Sequence, residues 1–371
     1  MTEDLANPLQ TARMVGLLGD VHGDLNHLLT AARTFWARGV DVIVQLGDFG
    51  VVFSGEDFEK NLTKISRRLA KRNQTLYWLD GNHEDFDILY EKFPVDTDGL
   101  RRLRHNVIHM PRGYNMELAP YKAVTPPNVL GVLGGANSID RSLRTEHIDW
   151  WPQEQISEAD LAALGSEHVD ILLGHEAPLH VRTLDEDQGA DRTGWRPSDY
   201  AYAAKGRRMF HQGFMAVRPR LHVGGHWHRW VDEVVEYGEA DARFRCRVAI
   251  LDMNGPQNIA LAILDVGTLW LQFFTRGDAW VDGLDDRDAG KWLVHTGDAI
   301  HAFDLDAQTV ERRPRPGARR SSIDKPRPLL QLRMVHVGIR GLWLVNPDDE
   351  RIPYSKYESS VIERIERVAE L

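Results

Sequence analysis

The chain has 371 residues, 42% of them hydrophobic and 27% charged, with a formal net charge of -10. That is the composition of a soluble globular protein long enough to bury a sizeable core, and its acidic balance argues against broad electrostatic binding to nucleic acid. The single cysteine, Cys246, excludes an intramolecular disulfide and any metal site built from cysteines, and no apolar run approaches the roughly 18 residues of a membrane span.

The opening stretch MTEDLANPLQTAR is polar and acidic and has no apolar signal core, so residues 1–12 read as a tail and the protein as cytoplasmic. RMVGLLGD (13–20) is a short apolar run that stops at Gly-Asp, which predicts a buried strand. Leu25, Leu28, Leu29, Ala32, Phe35 and Trp36 then recur at helical spacing, and Gly39 stands where a helix end favours glycine. DVIVQLGD (41–48) is a second strand stopping at Gly-Asp, and Phe58, Leu62, Ile65 and Leu69 form a second helical stripe. TLYWLDGNHE (75–84) is a third strand that runs into glycine and polar residues. Strand–helix–strand–helix–strand is an α/β pattern. In such sheets ligands collect at the carboxyl ends of the strands, and here each of those ends carries side chains able to bind a metal.

The pattern returns in VLGVLGGANSID (129–140), HVDILLGHEAP (168–178) and PRLHVGGHWH (219–228). Between the last two, residues 182–218 are polar and then helical across 198–213, which predicts a lid or a wall beside a site. Further β-rich text closes a first domain, 13–275. The remainder, 276–371, reads as a smaller, mainly β module. GDAIHAFDLDAQTVERRP forms a hairpin, QLRMVHVGIRGLWLV a strand pair, and the Arg/Pro-rich stretch 312–328 a solvated loop. SSVIERIERVAEL fits a helix or a strand equally.

Five signals sit just after apolar strands: GDVHG (19–23), GD (47–48), GNHE (81–84), GH (174–175) and GHWH (225–228). In this order the set resembles the calcineurin-like metallophosphoesterases, over about residues 13–275. The resemblance implies an α/β/β/α sandwich and a binuclear metal centre that hydrolyses phosphate esters. It implies Asp20, His22 and His228 as ligands of a first metal, Asn82, His175 and His226 as ligands of a second, and Asp48 as the bridge. Such centres hold two divalent cations about 3.5–4 Å apart, to activate water as a bridging hydroxide and to hold the transition state. Imidazoles suit Zn, Fe or Ni and carboxylates suit Mn or Mg, which leaves the metal open. Two dications, two carboxylates and a hydroxide leave about one positive charge to attract a phosphate, and the neutral Asn82 preserves it. His83 resembles the family's non-ligand histidine, which faces the substrate and stabilises charge or protonates the leaving oxygen.

Asp24 and Glu84 each carry two readings: orienting a ligand histidine, or serving a helix N-terminus. The Ser/Thr protein phosphatases have an Arg soon after their second motif, as in GD-x-VDRG, whereas this chain reads GDFGVVF. Another basic source is offered by Arg141 and Arg144 in GGANSIDRSLRTEHIDWWPQEQIS (134–157), which read equally as contacts to a substrate phosphate, with Asn137 beside them, or as solvated side chains. Trp150 and Trp151 in that segment read as packing. The expected activity is phosphomonoester or phosphodiester hydrolysis. The alternatives are a nuclease, for which an acidic chain offers little basic groove, a cyclic-nucleotide phosphodiesterase, or a non-enzymatic scaffold that recruits a protein partner through 276–371. Within GHWH, strand geometry would point His226 and His228 the same way. Sending them to different ions requires the backbone to leave the strand at Gly224-Gly225. Trp227 then packs away from the metals, and His222, inside the strand, is no ligand.

Overall fold

A computed structural model describes residues 7–53, 57–120, 126–190, 194–275, 283–286, 288–315, 317–321, 323–347 and 351–368. Half of the N-terminal tail (1–6) and residues 191–193 of the expected lid or wall lie outside the described residues. The chain divides into two compact units, Met1–Arg276 and Gly277–Leu371.

In the first unit, α1 (Pro8–Thr11), β1 (Met14–Leu18), α2 (Leu25–Ala37), β2 (Val42–Gln45), α3 (Phe58–Ala70), β3 (Thr75–Trp78) and α4 (Phe86–Lys92) lead into four strands. These are β4 (Arg101–Arg104), β5 (Val107–His109), β6 (Asn115–Glu117) and β7 (Val129–Leu133). α5 (Glu158–Leu164), β8 (Ile171–Gly174), α6 (Arg182–Ala190), α7 (Pro197–Val217) and β9 (Leu221–Gly224) follow. β10 (Val231–Tyr237), β11 (Phe244–Ile250), β12 (Leu261–Asp265) and β13 (Trp270–Phe274) complete the unit. They form two sheets, in the orders β13-β12-β1-β2-β3-β5-β4 and β10-β11-β9-β8-β7-β6. β1, β2 and β3 pair in parallel, as do β7, β8 and β9, so the carboxyl ends within each group fall on one edge of their sheet.

Alternation along the strands explains why they read as unbroken apolar text. Val15, Leu17, Val42, Val44 and Tyr77 pack with Leu130, Val132, Ile171, Leu173 and Val223 of the other sheet. The intervening Leu18, Ile43, Leu76 and Trp78 meet Phe35, Leu62, Ile65 and Leu69 from α2 and α3. A strand covered on both faces has no position for a solvated side chain. On the far face of the second sheet, Leu133, Leu172, Val248 and Ile250 pack against Phe210, Phe214 and Val217 of α7. The layers are therefore α/β/β/α, and α7 is a wall fixed to the second sheet.

The second unit contains β14 (Gly283–Leu284), β15 (Lys291–Thr296), β16 (Ala299–Asp304), β17 (Thr309–Pro314), β18 (Arg327–His336), β19 (Arg340–Val345) and β20 (Ser355–Arg367). Its order is β14-β18-β17-β16-β15-β20-β19, and a further β18–β19 pairing closes six strands into a barrel. Trp292, Val294, Phe303, Val310, Trp343, Ile362 and Ile365 fill it. SSVIERIERVAEL is a strand through Arg367, and residues 369–371 lie outside the described ones. Its inward Ile362 and Ile365 lie three apart because the register against β15 shifts there, and such an irregularity hides the period of two. The expectation of a solvated loop over 312–328 is corrected at both ends, since β17 runs through Pro314 and β18 begins at Arg327. Arg312 is 3% exposed and bonds Asp298, Asp324 and the Arg319 carbonyl. Residues 316 and 322 of that stretch lie outside the described ones. Among the described residues, no helix is long and apolar enough to cross a membrane.

Candidate metal centre

β1, β2, β3, β8 and β9 release their chains into short turns, and those turns carry the polar residues of the five motifs. Four of these residues adopt left-handed backbone: His22 (φ 47), Asp48 (φ 53), His226 (φ 69) and His228 (φ 47). Each such non-glycine residue costs on the order of 1 kcal/mol or more and persists only where its surroundings hold it. Here they do: the N–H groups of Val21 and His22 both donate to the Asp48 carbonyl, at 3.1 and 2.8 Å, and His226 N–H donates to the Asp20 carboxylate at 3.1 Å. The expectation that glycine dihedrals turn the chain after β9 is corrected. β9 does end at Gly224, but neither Gly224 nor Gly225 has a positive φ; His226 and His228 make the turn. Gly225 answers to space instead, because a β-carbon there would overlap Asp20 Oδ1, and one on Gly81 would overlap Asp48 Oδ1.

Asp20, His22, Asp48 and His228 each offer one ligand atom, and all four atoms lie within 4.8 Å of one another. His228 Nε2 is 3.3 Å from Asp20 Oδ2 and 3.0 Å from His22 Nε2. On the other side, Asp48 Oδ1 lies 3.2 Å from His175 Nε2 and accepts the Asn82 and His83 N–H groups, each at 2.9 Å. His175 Nδ1 donates to the Leu46 carbonyl at 2.8 Å, so in the neutral ring Nε2 carries the lone pair. Asn82 Nδ2 donates to Ser138 Oγ at 2.9 Å, which turns Asn82 Oδ1 toward His175 Nε2, 3.1 Å away. Three acceptors thus converge with no donor among them, an arrangement that calls for a cation. Without one the proton must serve. Burial works against a charge on His175, yet the Asp48 and Asp20 carboxylates raise it to about 10. Asp48 shows the counterpart: burial opposes its charge, but His175 and His83 hold it well below the usual carboxylate range. Carboxylates, imidazoles and an amide oxygen together suit a divalent ion such as Mn, Fe or Zn, so the residues fit the implied metals.

His226 lies on the His175 side, with ring centroids 5.0 Å apart. Burial pushes it down to about 4, which keeps the imidazole neutral and able to bind a metal. Its Nε2 is 3.8 Å from Glu176 Oε2. Asp48 therefore stands between one group made of Asp20, His22 and His228 and another made of Asn82, His175 and His226.

His83 Nε2 lies at the edge of the cluster, 3.9 Å from Asp48 Oδ2. Burial lowers its pKa against the pull of Asp48. Arg144 Nη2 is 3.3 Å from the same nitrogen, and a guanidinium can only donate, so Nε2 accepts. Arg144 is itself fixed by both Asp140 oxygens, at 2.6 and 2.7 Å, and by the Asp149 carbonyl. Arg141 lies over the Trp150 ring at 3.5 Å and donates to the Arg144 carbonyl. Asn137 is turned elsewhere: it is buried, donates to the Tyr202 carbonyl at 2.8 Å and packs against Gly206 of α7.

The remaining candidates have structural partners. Asp24 caps α2, accepting from His27 N–H at 2.9 Å. Glu84 does not cap a helix, since Asp85 caps α4. It accepts from Phe49, Gly50 and Gly81 N–H groups at 2.7, 3.2 and 3.4 Å, tying the loop after Asp48 to the loop of Asn82. Burial and Asp48 push Glu84 up to about 8. Trp150 and Trp151 are buried. Both ring nitrogens of His222 lie 3.1 Å from backbone carbonyls, and Trp227 donates to Glu176 within the α7-side cluster. Sequence reasoning passed over Glu176, Ser138 and Glu154. Ser and Glu carry no spacing signal in loops, and the one legible sign was an acid inside the aromatic segment WWPQEQ.

No curated protein matches the chain. Among solved structures it is similar to TT1561 of Thermus thermophilus, at 15% identity and a TM-score of 0.40, over 72% of this chain and 100% of that one. It is also similar to GAP50, the anchor in the inner membrane complex of Plasmodium, at 11% identity and a TM-score of 0.34, over 88% and 89% of the two chains. The profile of calcineurin-like phosphoesterases matches residues 14–230, which span all five motifs. The chain belongs to the calcineurin-like phosphoesterase family.

Proposed function

We propose that the protein hydrolyses phosphate esters with two divalent metal ions, Asp48 being shared between them. One observation carries the reading: the lone pairs of His175 Nε2, Asn82 Oδ1 and Asp48 Oδ1 converge beside the Asp20, His22 and His228 group. Asp20, His22 and His228 would hold one ion and Asn82, His175 and His226 the other. When bound, such ions supply Lewis acidity toward a phosphoryl oxygen and lower the pKa of water. The chain's own residues do the rest. His83 faces the substrate side of the cluster and assists the departing oxygen. Arg144, fixed by Asp140 against His83, and Arg141, stacked on Trp150, contact the substrate phosphate. Asn137 is left out because its amide serves α7.

The test uses the metal-depleted full chain with p-nitrophenyl phosphate and bis(p-nitrophenyl) phosphate, after adding Mn, Mg, Fe, Ni or Zn. Hydrolysis should return with at least one metal and be absent in Asp48→Asn. The preferred ester separates monoesterase from diesterase. Turnover that persists in metal-depleted protein, or in Asp48→Asn, would overturn the reading.

A further inference from the structure

We infer that Glu154, acting through Ser138, sets which end of the Asn82 amide faces the metal centre. Glu154 is thus a positioning residue, and WWPQEQ is part of the site's machinery. The inference rests on the function proposed above, in which Asn82 Oδ1 is a ligand.

The argument is one of proton direction along a buried chain. Glu154 and Ser138 are 0% and 1% exposed. Burial raises the Glu154 pKa against the pull of the Ser138 and Tyr202 donors, and in its ionised form Glu154 only accepts. Glu154 Oε1 accepts from Ser138 N–H at 2.9 Å and from the Tyr202 hydroxyl at 2.8 Å. Its Oε2 accepts from Ser138 Oγ at 2.5 Å. The single Ser138 proton is therefore committed to Glu154, and Ser138 Oγ can only accept from Asn82, 2.9 Å away. Asn82 must then present Nδ2 to Ser138 and Oδ1 to His175. Reversed, the amide would aim N–H groups at the place meant for a cation. Because the two ends of an amide are nearly the same size, packing cannot choose between them; the hydrogen-bond network does.

Glu154→Gln tests this with almost no change of shape. The Gln oxygen can still serve Ser138 N–H and Tyr202. The new –NH₂ group donates to Ser138 Oγ, so the Ser138 proton turns to Asn82 and the Asn82 amide reverses. Metal-depleted full-length protein is titrated calorimetrically with Mn²⁺, with thermal melts to confirm folding. Wild type should take up two ions. Glu154→Gln should lose affinity at one of the two by about tenfold or more, the scale of losses when an outer partner of a ligand is changed. Ser138→Ala should weaken the same site. Tyr202→Phe removes one donor to Glu154 without touching the Ser138 proton and should stay within about threefold of wild type. Glu154→Gln with both sites at wild-type affinity would overturn the inference. Equal losses in all three variants would also overturn it, since they would signal a loosened segment and not a reversed amide. If Glu154→Gln does not fold, Ser138→Ala decides by the same readout. A wild-type protein that takes up no ion would instead refute the function on which the inference stands.

Discussion

Gly225 lies so close against Asp20 that a β-carbon on it would overlap Asp20 Oδ1. The next residue, His226, donates its N–H to the same carboxylate at 3.1 Å. The backbone after β9 is thus laid directly on Asp20, and the left-handed His226 and His228 follow from that contact. The geometry of the cluster is set by main chain as much as by side chains.

Gly225→Ala should therefore displace Asp20 or the His226 turn. Overpacking of this kind costs about 1–3 kcal/mol. We expect reduced metal content and at least a tenfold loss of metal-supported turnover, measured by metal analysis and ester hydrolysis on the purified variant. Wild-type values for both would show that the loop yields freely.

His83 and Arg144 touch but should separate kinetically. His83→Ala should lower kcat by roughly 10²–10⁴, the usual scale for a proton-transfer group, with metal content unchanged. Arg144→Ala should act mainly on KM, because its partner would be the substrate phosphate. A large loss of bound metal in His83→Ala would instead make His83 a ligand.

Arg112 should matter for stability. It bonds Asp80 at 2.7 Å, His109 lies 3.1 Å from the other Asp80 oxygen, and Asp80 is 1% exposed. Burial opposes the Asp80 charge, but Arg112 and His109 hold it well below the usual carboxylate range. Removing one partner of a buried pair leaves an uncompensated charge and costs about 3–5 kcal/mol. Arg112→Ala should show that loss in urea unfolding at pH 7. A carboxylate depressed in the fold contributes above its unfolded pKa of about 3.9 and loses that contribution as pH falls below it, so the gap to wild type should narrow in acid.

The barrel carries a separate pH dependence. His301 is 0% exposed, lies 4.8 Å from the Trp343 ring, and has no hydrogen-bond partner for either nitrogen among the described residues. Burial pushes it down to about 4; Arg312 adds to this, while Asp298 and Asp324 oppose it. Above the ordinary value of about 6.5 both states are neutral and the contribution is fully present. Between about 6.5 and 4 only the unfolded chain takes the proton, so stability falls as pH falls, by up to roughly 3 kcal/mol. His301→Leu should flatten that acid-side loss in melts at pH 7 and pH 5. An unchanged slope would assign the loss to other groups.

Much of the site was legible because each motif follows an apolar strand, and the carboxyl ends of parallel strands share an edge. Asp20, Asp48, Asn82 and His175 could be named from that alone together with the family resemblance. Other features were illegible for identifiable reasons. Ile362 and Ile365 hid a strand because a register shift spaces them three apart. Arg312 read as a loop residue because its acidic partners, Asp298 and Asp324, meet it only when the barrel closes. Asn137 read as a phosphate contact because nothing local shows the Gly206 face of α7 that takes it.

The sequence by itself determined the apolar strands that lead into the five motifs, the helical stripes of α2 and α3, the family, and the residue types gathered at the strand ends, since these depend on local periodicity and on motif order. Only the tertiary structure decided direction: which way the Asn82 amide faces, which nitrogen of His175 donates to the Leu46 carbonyl, and that His226 and His228, not the glycines before them, turn the chain after β9. Those choices belong to hydrogen bonds between segments far apart in the chain, such as Asn82 to Ser138, His175 to Leu46 and His226 to Asp20, and such bonds exist only once the two sheets have packed.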